Sequence, residues 1–261
     1  GPIYLAVEFV LRRPLGWIVT ELEQTDLLGI AQEIFTFADH TIGLFPTAFF
    51  DFGFAPSVGL YFFWDELFFE DNRLSAHGGT FGPEWLRVVV NDRIALGEDA
   101  SLRARFEALR RPDQVFGGIG PRASTAISRY GISEVDTSLI LRARYWRRSR
   151  IRAEVGYRSA SFHNEGFFGD PSVGERAASR GQTLPPAFTT GYSAFRAGID
   201  LHFDTREVAP RPTAGVAVRA FGAAHGAFGG AEGLDGWFRW GGGLGGFTDV
   251  LGDDRILSLE L

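Results

Sequence analysis

Ser161 and His163 stand two positions apart, so on a strand they share one face. A serine beside a histidine is the start of an acyl-transfer site, in which the imidazole takes the hydroxyl proton. That chemistry also needs an orienting third residue, and no motif supplies one. The competing reading is two polar residues where a strand runs into a loop. His202 shares parity with Asp200 and Asp204. A metal ion would need three or four converging ligands, and a hydrated strand face accounts for the row as well. GGIG at 117–120 and GGGLGG at 241–246 lack the Gly-Lys-Ser/Thr of a phosphate loop and its strand–loop–helix setting. They read as permissive turns or crowded strand positions. No catalytic residue, metal or cofactor is assigned.

Charge offers a second kind of chemistry. Arg103 and Arg105 alternate with apolar neighbours and lead to Glu107. Arg142 and Arg144 do the same, as do Arg152, Glu154 and Arg158. These residues are expected to form one network on one sheet face, pairing among themselves. A field that selects anions is the second reading of the same rows.

Those rows need strands to position them. From Thr137 to Phe162, Leu139, Leu141, Ala143 and Tyr145 share one parity and Ser138, Ile140, Arg142 and Arg144 the other. After a polar break at 147–150, Ile151, Ala153, Val155 and Tyr157 alternate with Arg152, Glu154, Gly156 and Arg158. Two runs of period two around a short turn predict a β-hairpin. One of its faces is apolar and the other is charged. The same alternation recurs at 102–108 and at 195–203.

Further strands are expected from Ile42 through the phenylalanine-rich run to Ala55, over 58–64, over 72–77 ahead of Gly78–Gly79, and over 86–96. Others are expected at 215–221, 237–248 and from 257 on. Loops are expected at 110–128, which holds two prolines and three glycines, at 164–186, and at 222–236. Residues 1–40 read as a separate lead-in or periplasmic segment with a helical turn near 32–35, and residues 41–261 as the main β domain. No basic stretch followed by an apolar one opens the chain, so any signal peptide is expected to be gone.

Composition narrows the class. All 26 basic residues are Arg, Cys is absent, and Phe and Gly number 25 and 34 of 261 residues. Disulfides and thiolate metal sites are therefore excluded. A net charge of -6 gives no reason to expect nucleic acid as a partner. No run reaches the 18 or so apolar residues of a membrane helix, which leaves a strand-built membrane protein open. Arg at the centre of a lipid-facing strand would cost about 2–4 kcal/mol, so the charged parity belongs in an interior. The fold expected is all-β: an antiparallel transmembrane β-barrel of roughly ten or more strands, or an incomplete part of a sixteen-stranded one. A soluble β-sandwich or closed barrel is the alternative.

DFGFAPSVGLYFFWDEL (51–67) and FRAGIDLHFDTRE (195–207), with Pro212 and Gly215 following, resemble the BamA/TamA (Omp85) surface-antigen family. In that family a strand commonly ends in an Asp-Thr-Arg turn, and a Pro and a Gly lead into the next strand. Asp204, Thr205, Arg206, Pro212 and Gly215 match that turn. The likeness extends from about residue 42 onward. The family's Val-Arg-Gly-Phe motif is missing, and VRAF at 218–221 is only similar. The resemblance implies a barrel in the bacterial outer membrane, surrounded by its lipids. It also implies work in outer-membrane protein assembly or polypeptide transport, with client barrels or periplasmic assembly proteins as partners. It implies no enzyme activity. The other roles weighed are a passive pore or structural barrel and, behind it, a lipid-active enzyme.

Overall fold

In the computed structural model, the described residues are 33–49, 54–118, 127–181, 183–206, 214–228, 235–249 and 256–260. They form one sheet whose strands follow chain order, every neighbouring pair antiparallel. The strands are β1 (Thr36–Phe37), β2 (Ile42–Phe49), β3 (Ser57–Asp65), β4 (Asn72–Thr80), β5 (Leu86–Ala95) and β6 (Ala100–Phe116). They continue with β7 (Ser128–Trp146), β8 (Ser149–His163), β9 (Tyr192–Asp204), β10 (Gly215–Phe228), β11 (Gly236–Asp249) and β12 (Ile256–Glu260). The sheet thus starts ahead of the boundary expected at residue 40, while residues 1–32 lie outside the described ones. A helix, α1 (Val173–Ser179), sits between β8 and β9.

The predicted hairpin is β7–β8. Leu139 faces Val155 and Leu141 faces Ala153, and the turn narrows to Arg147–Arg148. Both strands outrun the sequence expectation. β6 and β7 take the two ends of the stretch expected as a loop at 110–128, because backbone pairing resumes past Pro112. Proline has no N–H for the ladder, and the register shifts between Arg111 and Gln114 to pass it. Pro46 is accommodated differently. The β1 ladder stops at Gly43, so Pro46 lies where β2 is a sheet edge among the described residues.

Three other expectations are corrected. The stretch 222–236 is not all loop: β10 runs to Phe228, because Gly222 and Gly226 pair with Trp240 and Gly236. β4 continues through Gly78 and Gly79 to Thr80. The stretch 164–186 contains α1, whose start is a capping box. Ser172 Oγ accepts from Glu175 N at 3.1 Å, and Glu175 Oε2 accepts from Ser172 N at 2.7 Å. Seven residues of helix gave too little periodicity to register as one.

The ladders keep one parity in phase across the sheet. Leu44, Leu60, Val88, Phe106, Leu139, Val155, Ile199, Val218 and Leu244 lie on one face, and all are exposed or half-buried. The opposite face carries the charge. Ile140 and Val89 are buried within the body of the sheet, and most of the other buried apolar side chains are not. Trp85, Ile132, Ala160, Val173, Ala177, Phe188 and Ala194 gather at the end where the longer connections lie.

Candidate functional site

The charged face is a set of ion pairs strung across strands. Glu107 on β6 accepts from Arg87 Nε on β5 at 2.8 Å and from Arg105 on its own strand. Glu134 on β7 pairs with Arg158 on β8. Arg196 on β9 is the hub. Its Nη2 is 2.8 Å from Asp136 Oδ1 on β7, and its Nε is 2.9 Å from Glu154 Oε1 on β8. Glu154 also holds Arg152. Arg219 on β10 closes the row on Asp200, with Nε to Oδ2 at 3.0 Å.

To meet Asp136 the Arg196 side chain must cross β8, and Gly156 leaves it room. Gly156 pairs with Arg196 on one side and Ser138 on the other. A Cβ at 156 would stand 3.2 Å from Arg196 Cζ and 2.5 Å from the Thr137 carbonyl oxygen.

The residues expected to form one network therefore divide. Arg105 and Glu107 bond to each other, Arg152 and Glu154 join the Arg196 group, and Arg158 pairs separately with Glu134. Arg144 is paired with Asp99 on the β5–β6 turn, Nε to Oδ1 at 2.7 Å, apart from the rest. Arg103 and Arg142 bond to no carboxylate among the described residues. Arg87, Glu134, Asp136 and Arg196 were not singled out from sequence. The signal was there for Arg196, which alternates with Gly198 and Asp200, but its partners became visible only with the register.

The family-like turn is a locked corner. Asp204 is 1% exposed, and its carboxylate accepts from Arg206 N at 3.0 Å and Arg206 Nη2 at 2.7 Å. The Arg206 guanidinium lies 3.8 Å from the Phe247 ring centroid. Thr205 Oγ1 accepts from Val216 N at 2.8 Å. Gly215 has φ 152°, and a Cβ there would come within 2.7 Å of Arg206. Pro212 lies outside the described residues.

The candidate nucleophile pairing changes. His163 Nε2 is 3.0 Å from Ser133 Oγ on β7, while Ser161 Oγ donates to the Ser133 carbonyl at 3.5 Å. No carboxylate is bonded to His163 among the described residues. Near His202, Asp200 and Asp204 are each engaged by an arginine.

The long connection between β8 and β9 folds over the charged face at one end. Arg129 ties it down: its backbone N donates to the Pro171 carbonyl at 2.9 Å and its Nε to Asp170 at 2.9 Å. Its Nη1 donates to the Asp113 carbonyl at 2.8 Å. The Asp113 carboxylate, fully buried, accepts from Ala55 N at 2.9 Å and Arg111 Nε at 2.8 Å. Phe188 then stacks on Phe162, centroids 5.8 Å apart, and meets Tyr130 edge-on. Tyr192, Trp237 and His225 extend the aromatic cluster. Polar strand positions thus give way to a packed aromatic cover at this end, and a smaller cluster of Phe35, Phe45, Phe63 and Tyr61 lies on the same face toward the other end.

Comparison of the chain with protein-family models, with curated proteins and with solved structures gives no match.

Proposed function

We propose that this sheet is the wall, or part of the wall, of a transmembrane β-barrel in an outer membrane, and that its charged face lines a water-filled interior. The observation that carries the reading is the segregation of the two faces, which on the apolar parity is interrupted by Asp92, bonded to Asn72, and by Arg110, paired with Glu84. Large apolar side chains stay exposed along one face, including Val58 at 62%, Val155 at 55%, Phe195 at 62% and Leu244 at 52%. An exposed apolar face of that extent in water would be an aggregation liability, whereas lipid makes it the favourable outer surface. Aromatic residues mark both rims of this face. Trp146 stacks on Phe203 at 5.2 Å at the short-turn end, and Tyr157, Phe195 and Phe228 cluster at the other. From Phe195 to Phe203 the strand rises by roughly 27 Å. Tilted by about 40°, that is ~21 Å of height, near the roughly 25 Å apolar band of outer-membrane barrels. The connections support an orientation as well. Turns such as Arg147–Arg148 and 96–99 gather at one end, and the 164–191 connection is at the other, as short periplasmic turns and long outer loops do.

On this reading the protein is a pore or structural barrel. Reconstituted in a planar bilayer, it gives a stable ohmic conductance that changes when Arg196 or Arg219 is replaced by glutamine. Partition into detergent-free buffer as a monodisperse monomer would sink the membrane assignment.

The sheet edges favour a second reading. Among the described residues, the outer edges of β1 and β12 carry no strand partner. An edge of that kind can take up another strand by β-augmentation, which is what the likeness to the BamA/TamA family implies for client assembly. A liposome insertion assay separates the two: an assembly protein speeds the folding of a client barrel, and a pore does not.

A further inference from the structure

The arginines without acid partners lie together. Arg93 on β5 stands directly across the ladder from Arg103 on β6. Arg142 on β7 stands directly across from Arg152 on β8, and one pair further on Arg144 faces Arg150. Arg103 is within Coulombic range of Arg93, Arg142 and Arg152, so the group is continuous over four strands. Arg93, Arg103, Arg142 and Arg150 make no ion pair among the described residues. Like charges directly opposite in a ladder repel and destabilise the sheet.

A shortage of acid does not explain this. The chain has 32 acidic residues against 26 basic ones. Elsewhere on this face Arg87, Arg105, Arg158, Arg196 and Arg219 each hold a carboxylate. Here the nearby acids are committed, Asp99 to Arg144 and Asp200 to Arg219, or stand on the turn, as Glu98 does. Arg93, Arg142 and Arg150 border an open depression of about 520 Å³ whose wall also includes Ser101, Glu98, Asp99 and Asp200, and Arg103 stands next to it, across the ladder from Arg93. The depression lies beside the short turns, at the opposite end from the aromatic cover.

We propose that Arg93, Arg103, Arg142 and Arg150 form a binding site for a phosphate-bearing oligoanion. Guanidinium forks match phosphate oxygens two at a time. Four neighbouring strands span about 14 Å, too wide for one phosphate to bridge and suited to an anion with several linked charges. The site builds on the charged face being the water-filled interior. Its mouth is then the periplasmic one, and the anion enters from that side.

The test is titration calorimetry of the full chain, folded in detergent, with inorganic tripolyphosphate, orthophosphate and acetate. Tripolyphosphate binds at least tenfold more tightly than the other two. The double variant Arg103→Gln/Arg142→Gln loses at least tenfold of that affinity, and Arg87→Gln, taken from a paired arginine on the same face, keeps it. Removing the repulsion also raises the denaturant midpoint of the double variant above that of the parent, and tripolyphosphate closes the gap. Absence of binding by the folded parent, or equal losses in the double variant and in Arg87→Gln, overturns the site. Binding is measured with no bilayer current, so failure of the site and failure of the pore reading are distinguishable.

Discussion

Arg196 reaches Asp136 two strands away, passing over Gly156 on the strand between them. A glycine opposite the arginine is what makes an ion pair between non-adjacent strands possible. Gly156→Val fills the passage and presses on the Thr137 carbonyl. Overpacking of this kind costs about 1–3 kcal/mol, and denaturant unfolding in detergent reads it. Equal stability of Gly156→Val and the parent would show that the passage is not needed.

The ion pairs of the charged face differ in shelter. Arg196, Asp136 and Glu154 have side chains 16%, 13% and 18% exposed, whereas Arg219 is 59% exposed. Arg196→Ala leaves two sheltered carboxylates without their shared partner and costs about 3 kcal/mol or more. Arg219→Ala removes a solvent-screened pair and costs about 0–1 kcal/mol. Unfolding midpoints of the two variants, compared side by side, check the order.

Charge placed on the apolar face separates lipid from water. Leu139→Arg and Leu201→Arg cost about 2–4 kcal/mol each when the protein is folded into liposomes. Leu109→Arg, on the charged face beside Glu134 in the ladder, costs distinctly less. Equal costs at all three positions would remove the lipid from the account of this face.

The cover between β8 and β9 is sensitive to acid. The Ser172 backbone N–H, and after it the Ser172 hydroxyl, hold the Glu175 carboxyl below its ordinary range. A carboxyl with a lowered folded-state pKa stabilises fully above its unfolded pKa. That contribution is lost as pH falls through the folded value. The protection of 164–181 against hydrogen exchange, relative to the intrinsic rate at each pH, therefore falls below the ordinary carboxylate range. Ser172→Ala, which costs about 1 kcal/mol of helix stability, lowers that protection at neutral pH as well.

At the corner after β9, Arg206→Gln leaves the buried Asp204 carboxylate without its guanidinium. Breaking a buried pair from one side costs about 3–5 kcal/mol. Asp204→Asn/Arg206→Gln, with no charge left uncompensated, recovers part of the loss. A double-mutant cycle on unfolding free energy measures the coupling, and additivity of the two single changes would exclude it.

Much of this was legible in the residues. Period-two alternation fixed the β7–β8 hairpin and which of its side chains share a face, because side-chain direction in a strand depends on parity alone. Repetition of charge at 103–107 and 196–200 likewise placed those rows on the opposite face from the leucines and valines. Strand ends were less readable. Pro112 and the glycines at 222 and 226 look like breaks in a sequence, yet a bulge and a cross-strand partner carry the ladder through them. The helix at 173–179 is made by its cap and by what buries Val173 and Ala177, neither of which shows as a period.

What only the tertiary structure decided is which charges meet. An arginine's partner depends on the register of the next strand and on whether the strand between leaves a gap, as Gly156 does. From sequence alone, Arg103, Arg142, Arg152 and Arg158 were one class. The structure divides them into arginines that hold a carboxylate, as Arg152 and Arg158 do, and arginines that hold none among the described residues, as Arg103 and Arg142, because a ladder sets neighbours across strands that the chain order does not reveal.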